Sequence, residues 1–231
     1  MKVITNNKLV NRNKKIGQYT TISSLVILGI GLFMSFKPEY YGYSVIALVL
    51  GFILSQVGIF FGSRWGRSPR PDEIITAKLK GLGEKYSLYH FTAAVPHLLI
   101  GPAGIWVLVP FYQGGIIFYD ENKNRWKQKK ANLYLRIFAQ ENLGRPDLDA
   151  KSYREDLEKY LKKNYPEIIF PPVNVAMVFT NPKAEVQPAN APIPAFAVEK
   201  LKDYIRKTGK ESPVPDETIK ILSAGFPKID L

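Results

Sequence analysis

From Gly17 to Phe36 the chain runs for 20 residues without a charged side chain, and from Tyr40 to Ser63 for another 24. As helices these spans measure about 30 and 36 Å, enough to cross the ~30 Å hydrocarbon core of a bilayer. The second, centred on SVIALVLGFILSQVGIFFG, is the stronger. The first opens with Thr20, Thr21, Ser23 and Ser24 and turns fully apolar only near Leu25. Between them KPEYYG has room for a tight turn only, and Tyr40, Tyr41, Tyr43 and Trp65 suit the interfacial aromatic belt. A cleaved signal peptide is the alternative for the first span. Its charge-free stretch is too long for one, and no A-x-A site follows before the second span. Residues 17–63 are therefore expected as a transmembrane hairpin, with helices at about 17–36 and 42–62.

Charge orients the hairpin. Lys2, Lys8, Arg12, Lys14 and Lys15 precede it with no acid among them, and Arg64, Arg67 and Arg70 follow it. The turn carries one Lys and one Glu. By the positive-inside rule both termini face the cytoplasm, with residues 1–16 a basic tail and residues 64–231 the cytoplasmic bulk of an integral membrane protein. Neither span holds an ionisable residue, so transport and proton relay have no support. Gly58 and Gly62 form a GxxxG, a spacing that lets helices approach closely but is common by chance.

Chemistry is limited by what is absent. The chain has no Cys, which excludes disulfides, thiolate zinc sites and cysteine nucleophiles. With only His90 and His97, a histidine-rich metal site is also excluded. Of the net charge of +12, residues 1–63 carry +5 (six basic, one acidic) and the remainder +7.

In residues 64–231, Pro71, Asp72 and Glu73 open a helix that Gly81 and Gly83 stop. Short β-like runs follow (YSLYHF, HLLI, GIWVLV, GIIFY), cut by Gly101-Pro102-Ala103-Gly104 and by Gly114-Gly115. From Tyr86 to Tyr119 there is no Asp, Glu, Lys or Arg. Its prolines, glycines and short pieces mark this region as buried strands rather than a third span. A helix is expected from about Ala150 to Asn164, a strand at VNVAMVF, a strand at Ala195–Val198, a helix from Glu199 and a last helix from near Pro215 to Gly225. The fold class is thus two N-terminal transmembrane helices followed by one α/β or α+β domain with a mixed central sheet.

HLLIGPAGIWVLV, then GGII and Trp126, then VAMVFTNPKAEV and VPDETIKIL carry a resemblance that covers roughly Asp72 to Phe226. The chain resembles the nuclease-related domain (NERD) family, a branch of the PD-(D/E)xK nuclease-like fold, which implies a restriction-endonuclease-like sheet. Members of that family show an Asp just before the His of the first hairpin strand and a Glu-x-Lys at the end of the second. The corresponding positions here are Pro96, Val109 and Phe111. Glu73 matches the family's helical acid, and a family Asn-Pro-x-x-Gln motif survives at best as Arg145-Pro146-Asp147-Leu148-Asp149.

Phosphodiester hydrolysis of this kind needs carboxylates to hold a divalent metal and a cation beside the attacking water. The charge-free strands offer neither, so the resemblance implies a pseudoenzyme with no catalytic residue, no metal and no cofactor. The alternative is a membrane-tethered nuclease using Mg or Mn on relocated acids, drawn from Glu73, Asp120 or Glu121. Glu73 reads more simply as an N-terminal acid facing the helix dipole, and His97 as a packed residue. KNRWKQKK holds Lys123, Arg125, Lys127, Lys129 and Lys130 around Trp126. Such a cluster suits a nucleic-acid backbone with base stacking, an anionic lipid surface, or merely a solvated strand-to-helix connection. The expected role is an interaction module, its partner being a protein, anionic lipid headgroups or nucleic acid.

Overall fold

The structure, a computed structural model, describes residues 1–130 and 142–225. Phe226, where the resemblance ends, lies outside the described residues. The chain divides into two compact units, residues 7–70 and residues 1–6 with 71–231.

The first unit is a helical hairpin. Helix α1 (Asn7–Ser35) and helix α2 (Tyr41–Phe61) are joined by a short 3-10 turn, and both are long and apolar enough to cross a membrane. Their burial is the inverse of a soluble protein's. Large apolar side chains such as Ile22, Leu25, Phe33, Ile46, Phe52 and Ile53 are exposed, while within the charge-free spans the buried positions are small: Gly17, Ser24 and Gly31 on α1, Ser44, Gly51 and Gly58 on α2. Each set recurs every seventh residue, so small residues form a seam along both helices. Backbones approach closely there, and the Ser44 hydroxyl donates to the Gly31 carbonyl at 2.7 Å.

The seam uses half of the GxxxG. A Cβ on Gly58 would lie 2.5 Å from Thr21 Oγ1 and 3.2 Å from its Cα, whereas one on Gly62 would meet nothing within 4 Å. Gly58→Val should therefore loosen the hairpin by about 1–3 kcal/mol through overpacking, and Gly62→Val should change little. SDS titration of the detergent-solubilised chain measures the difference; equal effects would contradict the seam.

The second unit is an α/β domain with a mixed six-stranded sheet in the order β1-β2-β3-β4-β7-β9. Its strands are β1 (Lys2–Thr5), β2 (Ser87–His90), β3 (His97–Gly101), β4 (Gly104–Phe111), β7 (Val173–Phe179) and β9 (Ala195–Ala197). β2, β3 and β4 form an antiparallel meander; β1 joins β2, β7 joins β4 and β9 joins β7 in parallel. Three helices cover the sheet: α3 (Pro71–Leu79), α4 (Pro146–Asn164) and α5 (Val198–Glu211).

Alternation along the strands builds two cores. Leu98, Ile100, Val107, Val109, Val175, Met177 and Phe179 point to the face where Ala150, Leu157 and Leu161 of α4 pack. Leu88, Leu99, Trp106, Leu108, Ala176 and Val178 point to the other, against Ile75 and Leu79 of α3 and Leu201 and Ile205 of α5. Because the sheet is covered on both sides, its strands are continuous apolar runs, which accounts for the missing charges between Tyr86 and Tyr119. The last helix, α6 (Asp216–Gly225), adds Leu222 to the α4 side.

Two segments depart from expectation. Residues 1–16 are not a tail: Val3 and Ile4 lie in an edge strand, clamped by Lys2 N–H to the Tyr86 carbonyl at 2.9 Å and Asn6 N–H to the His90 carbonyl at 3.0 Å, and α1 begins at Asn7. KNRWKQKK is not a connection: β6 (Arg125–Lys129) pairs antiparallel with β5 (Gly115–Asp120), and β8 (Ala184–Gln187) completes a three-stranded sheet in the order β6-β5-β8. Pairing with β5 satisfies a backbone that the sequence alone leaves without a partner.

Candidate functional site

Two of the positions at which the resemblance expects catalytic groups lie on the α4 side of the sheet. Val109 is buried in that core, and Phe111 packs against it, stacked on Phe179 with ring centroids 5.5 Å apart. Pro96 is half-buried just before β3, and it is its neighbour Val95 that enters the same core. Glu73 does not join them. It is exposed on α3, whose Ile75 and Leu79 pack on the opposite face of the sheet.

The other acids are engaged elsewhere. Asp120 accepts from Lys127 Nζ at 2.5 Å and from Lys123 N–H, and the Lys127 hydrogen bond, ahead of other causes, holds its carboxyl below the usual range. Glu121 accepts from Asn190 Nδ2 at 2.7 Å. Asp147 in the Arg145–Asp149 segment is chelated by Arg145, which lowers its pKa. Among the described residues no group of three or more His, Asp or Glu side chains is positioned to hold a metal ion.

The two histidines, unremarked by their spacing, are paired. Strand register sets His90 directly opposite His97, with both rings buried. Their Nδ1 atoms are 2.8 Å apart, and His90 Nε2 lies 2.8 Å from Thr76 Oγ1 on α3. Phe91, at φ +57°, turns its ring against His97. Such contact requires one Nδ1 to carry a proton and the other to accept it. Burial first, and then His90, pushes the His97 pKa well below its ordinary 6.5.

The sign follows. Unfolded His97 takes up a proton below about pH 6.5 while the folded ring resists. Its contribution is complete above that pH and is lost on acidification, with a slope of up to about 1.4 kcal/mol per pH unit. The thermal midpoint of the detergent-solubilised chain should fall as pH drops through 6.5, and His97→Leu should flatten that fall. A midpoint indifferent to pH in the parent chain would contradict the burial of a neutral His97.

The basic cluster is divided by strand alternation. Trp126 faces inward, 1% exposed and packed beside Tyr119, so it is unavailable for stacking on a base. Gln128 also turns in, its Nε2 donating to the Gly114 carbonyl. Arg125, Lys127 and Lys129 therefore share the outward side of β6, with Lys123 and Lys130 at its ends. Inward-facing Trp126 is a correction to the cluster as read from sequence; opposite parity of neighbouring residues on a strand is its cause. Compared with protein-family models, curated proteins and solved structures, the chain matches none of them.

Proposed function

We propose that this chain is a membrane-anchored, non-catalytic module with a nuclease-related, restriction-endonuclease-like core, held by its hairpin at the cytoplasmic face to bind a partner. The observation that carries the reading is the apolar packing of Val109 and Phe111, where metal-dependent cleavage would need a carboxylate and a lysine. The helix, three-stranded meander, helix, parallel strand order supports the family resemblance. Insertion of the hairpin is supported by its exposed large apolar side chains and its buried small ones.

A sheet shared by residues 2–5 and the domain supports a single side for both, because a strand cannot pair through a bilayer. The excess of Lys and Arg around the hairpin makes that side the cytoplasm.

A cleavage assay with Mg or Mn tests the non-catalytic reading. It uses the full chain in detergent, since β1 belongs to the domain. No turnover is expected on DNA or RNA. Turnover abolished by EDTA and by Glu73→Ala would establish instead a tethered nuclease with relocated acids. Reporters fused to each end test the topology: both should be active only in the cytoplasm, and ends on opposite sides would overturn it.

A further inference from the structure

We infer that the outward side of β6 is a contact surface for an anionic lipid leaflet, an inference that rests on the hairpin being a membrane anchor. Arg125, Lys127 and Lys129 recur at every second residue of an edge strand, so their charges form one row with a rise of about 6.8 Å between neighbours. Beside the row on β5 stand Ile116, opposite Lys129, and Phe118, opposite Lys127. Both are half-buried, and Lys129 Nζ sits 4.8 Å from the centre of the Phe118 ring. Cationic heads over apolar stems match the headgroup zone, where phosphates meet the first acyl carbons.

The acids nearby do not cancel the row. Asp120 pairs with Lys127 and accepts the Lys123 backbone N–H, and Glu185, on the far strand β8, accepts from Gln187. Arg125, Lys129, Lys123 and Lys130 remain exposed. The same geometry argues against a single-stranded nucleic acid, which needs open aromatic faces. Trp126 is in the core, and the Phe118 ring lies beneath Lys129. A leaflet needs no such faces, and a domain covalently tethered beside one engages even weak charge contacts at high effective concentration.

A rival role for these cations is to guard the β6 edge against pairing with another chain. Vesicle association separates the two. Full-length protein in neutral phosphatidylcholine nanodiscs is mixed with vesicles of phosphatidylcholine with or without phosphatidylserine, and with a DNA duplex, across a salt series. The parent chain should associate with the anionic vesicles only, more weakly as salt rises. Arg125→Gln, Lys127→Gln and Lys129→Gln together should weaken association roughly a hundredfold, as expected for three surface cations. Arg125→Lys with Lys127→Arg and Lys129→Arg should retain it.

Unchanged association in the neutralised chain, self-association of that chain with vesicle binding intact, or tighter binding to the duplex than to vesicles would each overturn the proposal. Alkaline carbonate extraction of membranes from expressing cells reads the anchor separately. Release of the chain would sink the anchoring reading without touching the vesicle result.

Discussion

Val109→Glu should destabilise the domain by about 3–5 kcal/mol at neutral pH and confer no nuclease activity. Val109 is 4% exposed in the core between the sheet and α4, among Val107, Met177 and Phe179. A carboxylate there loses its hydration among apolar neighbours, and among the described residues no Lys or Arg is buried to pair with it. The folded-state pKa of the new Glu would be raised. The penalty is therefore absent at acid pH and grows as pH rises through the unfolded value of about 4.3.

Val109→Ile should cost less than about 1.5 kcal/mol, since it keeps the site apolar. Denaturant unfolding of the solubilised full-length chain at several pH values measures both. A Glu variant as stable as the parent at neutral pH would mean a wet, open site, and the proposed non-catalytic reading would lose its packed core.

Gly115→Ala should cost about 2–5 kcal/mol, combining the strain of a left-handed L-residue with overpacking. Gly115 opens β5 at φ +79°, and a Cβ there would lie 2.5 Å from the Lys129 carbonyl oxygen and 2.9 Å from that of Lys130. These are backbone atoms of the partner strand and cannot rotate aside. Either β5 begins later and the ladder shortens at that end, or β6 moves away and draws Trp126 from the core it now fills. An early unfolding step is expected in both cases, with red-shifted tryptophan emission where β6 moves. Parent-like stability and emission would show that the close approach of β5 and β6 is dispensable.

Local signals in the sequence accounted for much of this molecule. The hairpin was legible because bilayer thickness demands a run of about 20 apolar residues, and such runs are visible without any contact. Pro71-Asp72-Glu73 and the amphipathic stretch ending at Asn164 marked α3 and α4, although α4 begins at Pro146 rather than Ala150. The meander was legible from Gly101-Pro102-Ala103-Gly104, which turns β3 into β4. Less was visible of the seam between the hairpin helices. Its seven-residue spacing lies in the sequence, but Gly58 and Gly62 form the only GxxxG within the charge-free spans, and the inter-helix contacts alone distinguish the two.

The candidate site divides the same way. That Pro96, Val109 and Phe111 carry neither acid nor lysine could be read directly, because absence of a functional group needs no coordinates. Side-chain direction could not. Trp126 and its basic neighbours look alike in KNRWKQKK until pairing with β5 sends one inward and the others out. Nor did four β-branched-rich residues in a basic segment reveal β1, whose hydrogen bonds reach Tyr86 and His90. The pairing of His90 with His97 depends in turn on the register of β2 and β3. The sequence by itself determined where apolar length, turns and chemistry lie along the chain. Tertiary structure decided which distant strands share hydrogen bonds, and through that register, which face each side chain occupies. Local residues can set a helix or a turn, but the partner of an edge is chosen by burial and hydrogen bonding summed over the whole domain.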